Sequence, residues 1–308
     1  MPTQIEKDLR RKIVEIGRRV YDRFLVAAND GNISVRLDKE TVLVTPTGLS
    51  KGFMLPEDIL KVRLEGQEGQ EAGTTYRGEQ RATYRTLDVP PRSQTATTRP
   101  LVTETDIQAV PSGGRLAVPK GALVTPLARQ IALERHVTLE EEGTPSSSSL
   151  HVPAAGPRRR PSSETPMHLA IYRARADVRA VVHTHAPAAT AFAMTGARLD
   201  EPLLPEMVVH LGPVALVPYA RAGTEKLPQA MVPYLADHDV FLLANHGAVT
   251  VGRTLEEAYF QMERLELFAR IRLAASKLGP ASPLPPEELA HLAALREHLK
   301  EVTWFPLS

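Results

Sequence analysis

The chain has 308 residues, 43% of them hydrophobic, enough for a sizeable core in one large domain or two modest ones. Lys plus Arg (37) nearly balance Asp plus Glu (36), and the net charge of +1 argues against a broad nucleic-acid or anionic-membrane surface. Cysteine is absent, which excludes disulfides and thiolate metal sites and leaves any metal to histidine and carboxylate. The charged N-terminal stretch has no apolar h-region, and no apolar run approaches about 18 residues. Neither a secretory signal nor a membrane span is expected, and a cytoplasmic location is.

Apolar residues Ile5, Leu9, Ile13, Ile16, Val20 and Phe24 recur at spacings of three and four, predicting an amphipathic helix over Ile5–Leu25. It stops at a cluster of turn formers, Ala28 to Ser34. Strands are expected at Ile33–Leu37 and Thr41–Thr45, the second running into Thr45-Pro-Thr-Gly-Leu-Ser50, with another at 58–62. The small residues of both turns either let backbone N–H groups approach an anion or simply make surface loops. Composition shifts after Leu64: residues 65–100 and 143–163 are polar, Gly- and Pro-rich, and lack apolar periodicity, as linkers do. Between them lies a patterned island near 101–142. A helix is expected over Leu101–Val110, with Thr103 as cap and Asp106 three residues on, then a strand at Leu116–Val118 and a helix from Thr125-Pro126. The island is too short for much core of its own, so 65–157 reads as a low-complexity, poorly ordered insertion.

Regular patterning returns at Ser162. Helices are expected at Glu164–Arg175, capped by Ser162 or Ser163, and at Pro187–Met194, Thr224–Leu235, Leu255–Lys277 and Pro286–Glu301. Strands are expected at Ala180–His185, within Val208–Val217, and at Val240–Ala244, which Ala248–Val251 continues. Strands alternating with helices outside the insertion predict one α/β layered catalytic domain from 1–64 and 158–308.

The chemistry gathers around His183-Thr-His185. Alternate strand residues share a face with Cα atoms roughly 6.5–7 Å apart, which suits two nitrogens converging on a metal at about 2.0–2.1 Å. His246 repeats that setting, closing an apolar strand before a polar loop. Three histidines and an open position make the ligand count of a catalytic zinc site. Glu164, at a helix start, supplies an acid/base, and Ser162 and Ser163 offer hydroxyl and N–H groups at the same terminus. His168, four residues after Glu164, either lines the site or is a structural histidine. Lys51 reads as a solvated loop residue.

These residues carry a resemblance. Gly31-Asn-Ile-Ser34, Thr45-Pro-Thr-Gly48, Ser162-Ser-Glu-Thr-Pro-Met-His168, His183-Thr-His185, Val217-Pro-Tyr219 and Asn245-His-Gly247 occur in the order of the class II aldolase/adducin family, typified by L-fuculose-1-phosphate aldolase. The resemblance implies a three-layer α/β/α domain with a largely antiparallel or mixed central sheet. It implies one Zn2+ per subunit on His183, His185 and His246, Glu164 as acid/base, and phosphate binding by Asn32, Thr47, Gly48, Ser162 and Ser163. Tyr219 matches a tyrosine that donates a proton from a neighbouring subunit of a homotetramer. The implied activity is reversible cleavage of a ketose 1-phosphate to dihydroxyacetone phosphate and an aldehyde such as lactaldehyde. Other reactions of the family remain open: pentulose-phosphate 4-epimerisation, methylthioribulose-phosphate dehydration and sugar-acid decarboxylation. A non-enzymatic adducin-like module would not need its metal histidines.

The insertion departs from the family, with 97 residues from Glu65 to Pro161 in place of a short connection. Leu101–Asp106 and Val118–Arg129 resemble segments of bacterial microcompartment-associated proteins. A helix near Pro126–Glu134 then either docks to a shell or cargo partner or belongs to a tolerated loop.

Overall fold

The computed structural model describes residues 2–64, 86–87, 101–119, 122–125, 128, 131–132, 135–142 and 159–301. The chain forms two compact units, 1–90 with 158–308, and 91–157.

In the larger unit, helix α1 (Gln4–Asp22) precedes strands β1 (Asn32–Arg36), β2 (Thr41–Val44), β3 (Leu60–Arg63) and β4 (Thr86–Leu87). After residue 158 come α2 (Thr165–Ala174), β5 (Ala180–Thr184), α3 (Pro187–Thr195), β6 (Val214–Val217) and α4 (Lys226–Met231). Then follow β7 (Val240–Leu243), β8 (Gly247–Gly252), α5 (Leu255–Ser276) and α6 (Pro286–Glu301). The sheet order is β6-β7-β8-β5-β1-β2-β3-β4. Only β6 and β7 run parallel; every other neighbouring pair is antiparallel. The sheet is therefore mixed, as expected.

Alternation along β5 shows why there are three layers. Ala180 and Val182 join Ile13, Ile16 and Val20 of α1 and Tyr259, Met262 and Leu265 of α5 in one core. Val181 turns the other way, to Met167, Leu169 and Tyr172 of α2 and Leu227 and Met231 of α4. A strand buried on both faces reads as a continuous apolar run, which is what residues 180–182 are. Each such Val, Leu or Ile contributes about 1.5–3 kcal/mol by burial.

Several elements differ from expectation. Helix α1 ends at Asp22 because Phe24 takes a left-handed φ of 58°, and the ends of its stripe, Ile5 (68% exposed) and Phe24 (71%), face outward. Residues Met207–Leu211 form a π-helical turn instead of a strand, and Gly212 at φ 71° reverses the chain before β6. Residues 248–251 do not continue the preceding strand: β7 and β8 make an antiparallel hairpin, turned by Asn245 at φ 54°. Thr86–Leu87, within the polar stretch, adds an edge strand beside Lys61 and Val62. The low-complexity assignments to 65–85, 88–100 and 143–158, and the start of the helix at Pro126, lie outside the described residues.

The smaller unit has more internal structure than a bare linker. Leu101–Val102 pairs in parallel with Leu123–Val124, placing Leu101 opposite Leu123, and Arg115–Pro119 pairs in parallel with Thr138–Glu142. The helix near 101–110 is confined to Glu104–Gln108, with Asp106 accepting from the Thr103 backbone N–H (2.7 Å) and hydroxyl (2.8 Å). Thr125, closing the second Leu-Val-Thr triplet, accepts from Ala128 N at 3.0 Å, and residues 128, 131 and 132 are helical. Val102, Ile107, Val118, Ala128, Ala132 and Val137 form a small core. The described residues carry a small core where the sequence predicts little.

Candidate active site

His183 is the penultimate residue of β5, His185 follows the strand, and His246 sits in the β7–β8 turn. Pairing of β5 with β8 sets Val249 opposite His183 and Ala248 opposite Thr184, which brings the turn beside the strand end. The three rings form a near-equilateral triangle, with centroids 4.8–5.2 Å apart. One ring nitrogen from each lies within 4.8 Å of the others. Gly247 permits this approach: a Cβ there would stand 2.6 Å from Thr184 O and 2.8 Å from His185 Cδ2. Thr184, between the two strand histidines, points the other way and donates its hydroxyl to Met262 Sδ at 3.1 Å.

Glu164 reaches the same point from the opposite side. It occupies the N-cap position of α2 but makes no side-chain cap bond, leaving its carboxylate free. Oε2 lies 3.2 Å from His183 Nε2 and Oε1 2.8 Å from His246 Nε2. Burial raises the Glu164 pKa, but the His183 and His246 imidazoles outweigh it and hold the group far below the usual carboxylate range. Ser162 takes the capping task instead, its Oγ accepting from Glu164 N at 3.3 Å.

The donor set fits a divalent cation. His183 Nδ1 contacts Ala248 O at 2.9 Å, which fixes the tautomer that presents Nε2 inward, while His185 Nε2 is buried without a hydrogen-bond partner. Asp30 Oδ2 stands 3.6 Å from His185 Nδ1, near that ring but outside hydrogen-bond distance. Sequence reading missed Asp30; its only signal was membership of the turn cluster preceding Asn32.

Two loops far apart in sequence frame this cluster. Pro46 and Pro161 form an isolated antiparallel bridge, Thr47 N donates to Arg160 O at 2.8 Å, and Ser162 N donates to Thr45 O at 3.4 Å. Thr47, Gly48 and Ser163 are exposed and Ser162 half-buried beside one another, with Gly48 at φ 70°. Asn32 lies buried between loops and carboxylate, its Nδ2 donating to Glu164 Oε2 at 2.6 Å and Ser162 Oγ at 3.2 Å. Tyr219 is 66% exposed in the loop after β6, and the same loop returns at Gly223, where a Cβ would stand 3.4 Å from that of Ser163.

His168 is no part of the triangle. It is buried, its Nδ1 contacts Ser34 Oγ at 2.6 Å, and Ser34 Oγ in turn meets Tyr172 OH at 2.9 Å. Burial lowers its pKa to about 3, so it is neutral. Lys51 contradicts expectation outright: it is 1% exposed, because α1 packs on its backbone so closely that a Cβ on Gly17 would stand 2.7 Å from Lys51 O.

The description Class II Aldolase and Adducin N-terminal domain matches residues 11–85 and 123–273. The chain belongs to this family. Among curated relatives, this family member is 37% identical over 136 residues to 5-deoxy-D-ribulose 1-phosphate aldolase of Bacillus thuringiensis serovar kurstaki, covering 44% of this chain and 63% of that one. It is 40% identical over 116 residues to 3-oxo-tetronate 4-phosphate decarboxylase of Escherichia coli K12, covering 36% and 55%. Both matches span less than two thirds of the relative's length. L-fuculose phosphate aldolase of Methanocaldococcus jannaschii is 26% identical over 86% of this chain and 95% of its own. Among solved structures, YgbL from Escherichia coli superposes at a TM-score of 0.61 with 24% identity, over 94% of this chain and 100% of that one. An L-fuculose 1-phosphate aldolase does so at 0.57 with 22%, over 97% and 98%. These structural likenesses concern the fold. No described helix is long and apolar enough to cross a membrane.

Proposed function

We propose that this class II aldolase-family chain is a zinc-dependent aldehyde-lyase, reversibly cleaving an L-fuculose-1-phosphate-like ketose 1-phosphate to dihydroxyacetone phosphate and an aldehyde such as lactaldehyde. One observation carries the reading: three imidazole nitrogens lie within 4.8 Å of each other, and the Glu164 carboxylate touches two of those rings. A Zn2+ ion on His183, His185 and His246 would supply Lewis acidity to the substrate's carbonyl and hydroxyl oxygens.

The chain's own groups do the rest. In cleavage the C4 hydroxyl gives up its proton to the Tyr219 oxygen, the C3–C4 bond breaks, and its electron pair moves to C3 and the neighbouring carbonyl. Glu164 delivers the proton that C3 gains, and in synthesis removes it. Its observed contacts hold it ionised, the state needed for removal; an incoming substrate that separates it from His183 and His246 leaves burial to raise its pKa. Tyr219, exposed and so able to enter a neighbour's cleft, protonates the aldehyde oxygen across a homotetramer interface in the synthetic direction. Thr47, Gly48, Ser162 and Ser163 grip the phosphate, remote from the bond broken. Asn32 joins that grip only by releasing Ser162 Oγ, since both of its amide hydrogens are engaged.

A second reading is decarboxylation of a 3-oxo sugar-acid phosphate at the same site, favoured by the 40% identity to the E. coli decarboxylase over 116 residues. Ketose 1-phosphates and 3-oxo-4-phosphates should be supplied to the zinc-loaded protein in parallel. Dihydroxyacetone phosphate released together with an aldehyde from a ketose 1-phosphate supports the aldolase; carbon dioxide released with dihydroxyacetone phosphate from a 3-oxo-4-phosphate, with the ketose 1-phosphates left intact, replaces that reading with the decarboxylase. We further assign 1–64 and 158–308 to catalysis and 65–157 to an insertion whose segment near 101–142 docks to a bacterial microcompartment shell or cargo. Unchanged co-assembly after deletion of 100–143 would sink that last assignment.

A further inference from the structure

Lys51 is a buried ammonium without a carboxylate within ion-pair distance among the described residues. Its Nζ donates to Asn29 O at 3.1 Å and Leu49 O at 2.9 Å, and its side chain is shut from solvent by the turn that rests on α1. Gly17 and Gly52 allow that contact: a Cβ on Gly52 would stand 2.6 Å from the Tyr21 ring. A buried charge whose direct partners are carbonyl dipoles is costly, and the nearby Asp30 and Glu164 carboxylates stand outside ion-pair distance, so the site is suited to an anion that comes closer. Asn29 lies just before Gly31-Asn32, and Leu49 just after Thr47-Gly48. The two carbonyls therefore belong to the two loops proposed to meet the phosphate.

We propose that Lys51 is the buried positive charge of the substrate-anion site, a positioning residue that ties the 29–32 turn to the 47–49 turn and adds attraction for a phosphoryl group lying over them. This rests on the reading of those loops as the anion site. Burial pushes the ammonium down to about 8, so its charge is present at neutral pH and lost in mild alkali. The charged groups facing it are Asp30, Glu164 and His183.

The test is calorimetric titration of inorganic sulfate into the zinc-loaded full chain and its Lys51→Met and Lys51→Gln variants. Gln can still donate to a carbonyl but carries no charge. Both should bind sulfate about tenfold or more weakly than wild type, with zinc stoichiometry retained. In turnover, KM should rise while kcat stays within about threefold. A folded variant that binds sulfate as wild type does overturns the proposal. Should neither variant fold, the wild type decides: its sulfate affinity should fall between pH 7 and 9 with a midpoint near 8, and a flat profile overturns the proposal equally. Wild type that binds no sulfate at pH 7 instead removes the anion-site reading beneath it, a distinct result.

Discussion

Asn32 donates its side-chain amide to Glu164 across 2.6 Å, joining the first strand of the sheet to the N-terminus of α2. The bond crosses 132 positions of sequence and fixes one carboxylate oxygen while the other meets His246. Replacing Asn32 by Ala should leave zinc bound but let Glu164 swing. We expect kcat to fall about 10- to 100-fold, with zinc content by atomic absorption unchanged.

Glu164→Gln keeps the side chain's shape and removes its basicity. Turnover should drop by about 10²–10⁴ while the zinc stoichiometry stays near one per chain. Near-normal turnover in this variant would refute the acid/base assignment.

Gly247 lies where the three rings converge, and a methyl there would meet Thr184 O and His185 Cδ2 inside 3 Å. Gly247→Ala should spread the triangle and weaken zinc binding by about 10- to 100-fold in chelator competition. His246→Ala, which removes one of the three proposed ligands, should lose zinc altogether, and restoring zinc should not recover activity.

His168 supplies a pH signature separate from the metal. Its folded pKa of about 3 is depressed below the unfolded value near 6.5. Above pH 6.5 both states are neutral and the stabilising contribution is complete. Below it the unfolded chain takes up a proton that the folded chain refuses, so stability declines as pH falls from 6.5 toward 3. The slope from this one group is at most about 1.4 kcal/mol per pH unit. Denaturant unfolding of His168→Gln should show a flatter decline over that window than wild type.

The sequence by itself determined which residues make the layers and which make the triangle. Apolar runs and period-3.6 patterning placed β1, β2, β5, α1 and α5 within a few residues, since each buries apolar side chains that the pattern must encode. The π-turn at 207–211 escaped because its apolar residues fit strand and helix equally, and only Gly212 behind it settles the geometry. The β7–β8 hairpin escaped because its turn, Ala244 to His246, is so short that the sequence leaves open whether the chain continues or reverses; the left-handed Asn245 marks the reversal. Tertiary structure alone decided the rest. It paired Pro46 with Pro161, turned Asp30 to His185, and buried Lys51 beneath two loops. Such contacts join segments far apart in the chain, and their strength depends on burial and on which carbonyl or charge faces the group, quantities that exist only once the sheet has formed.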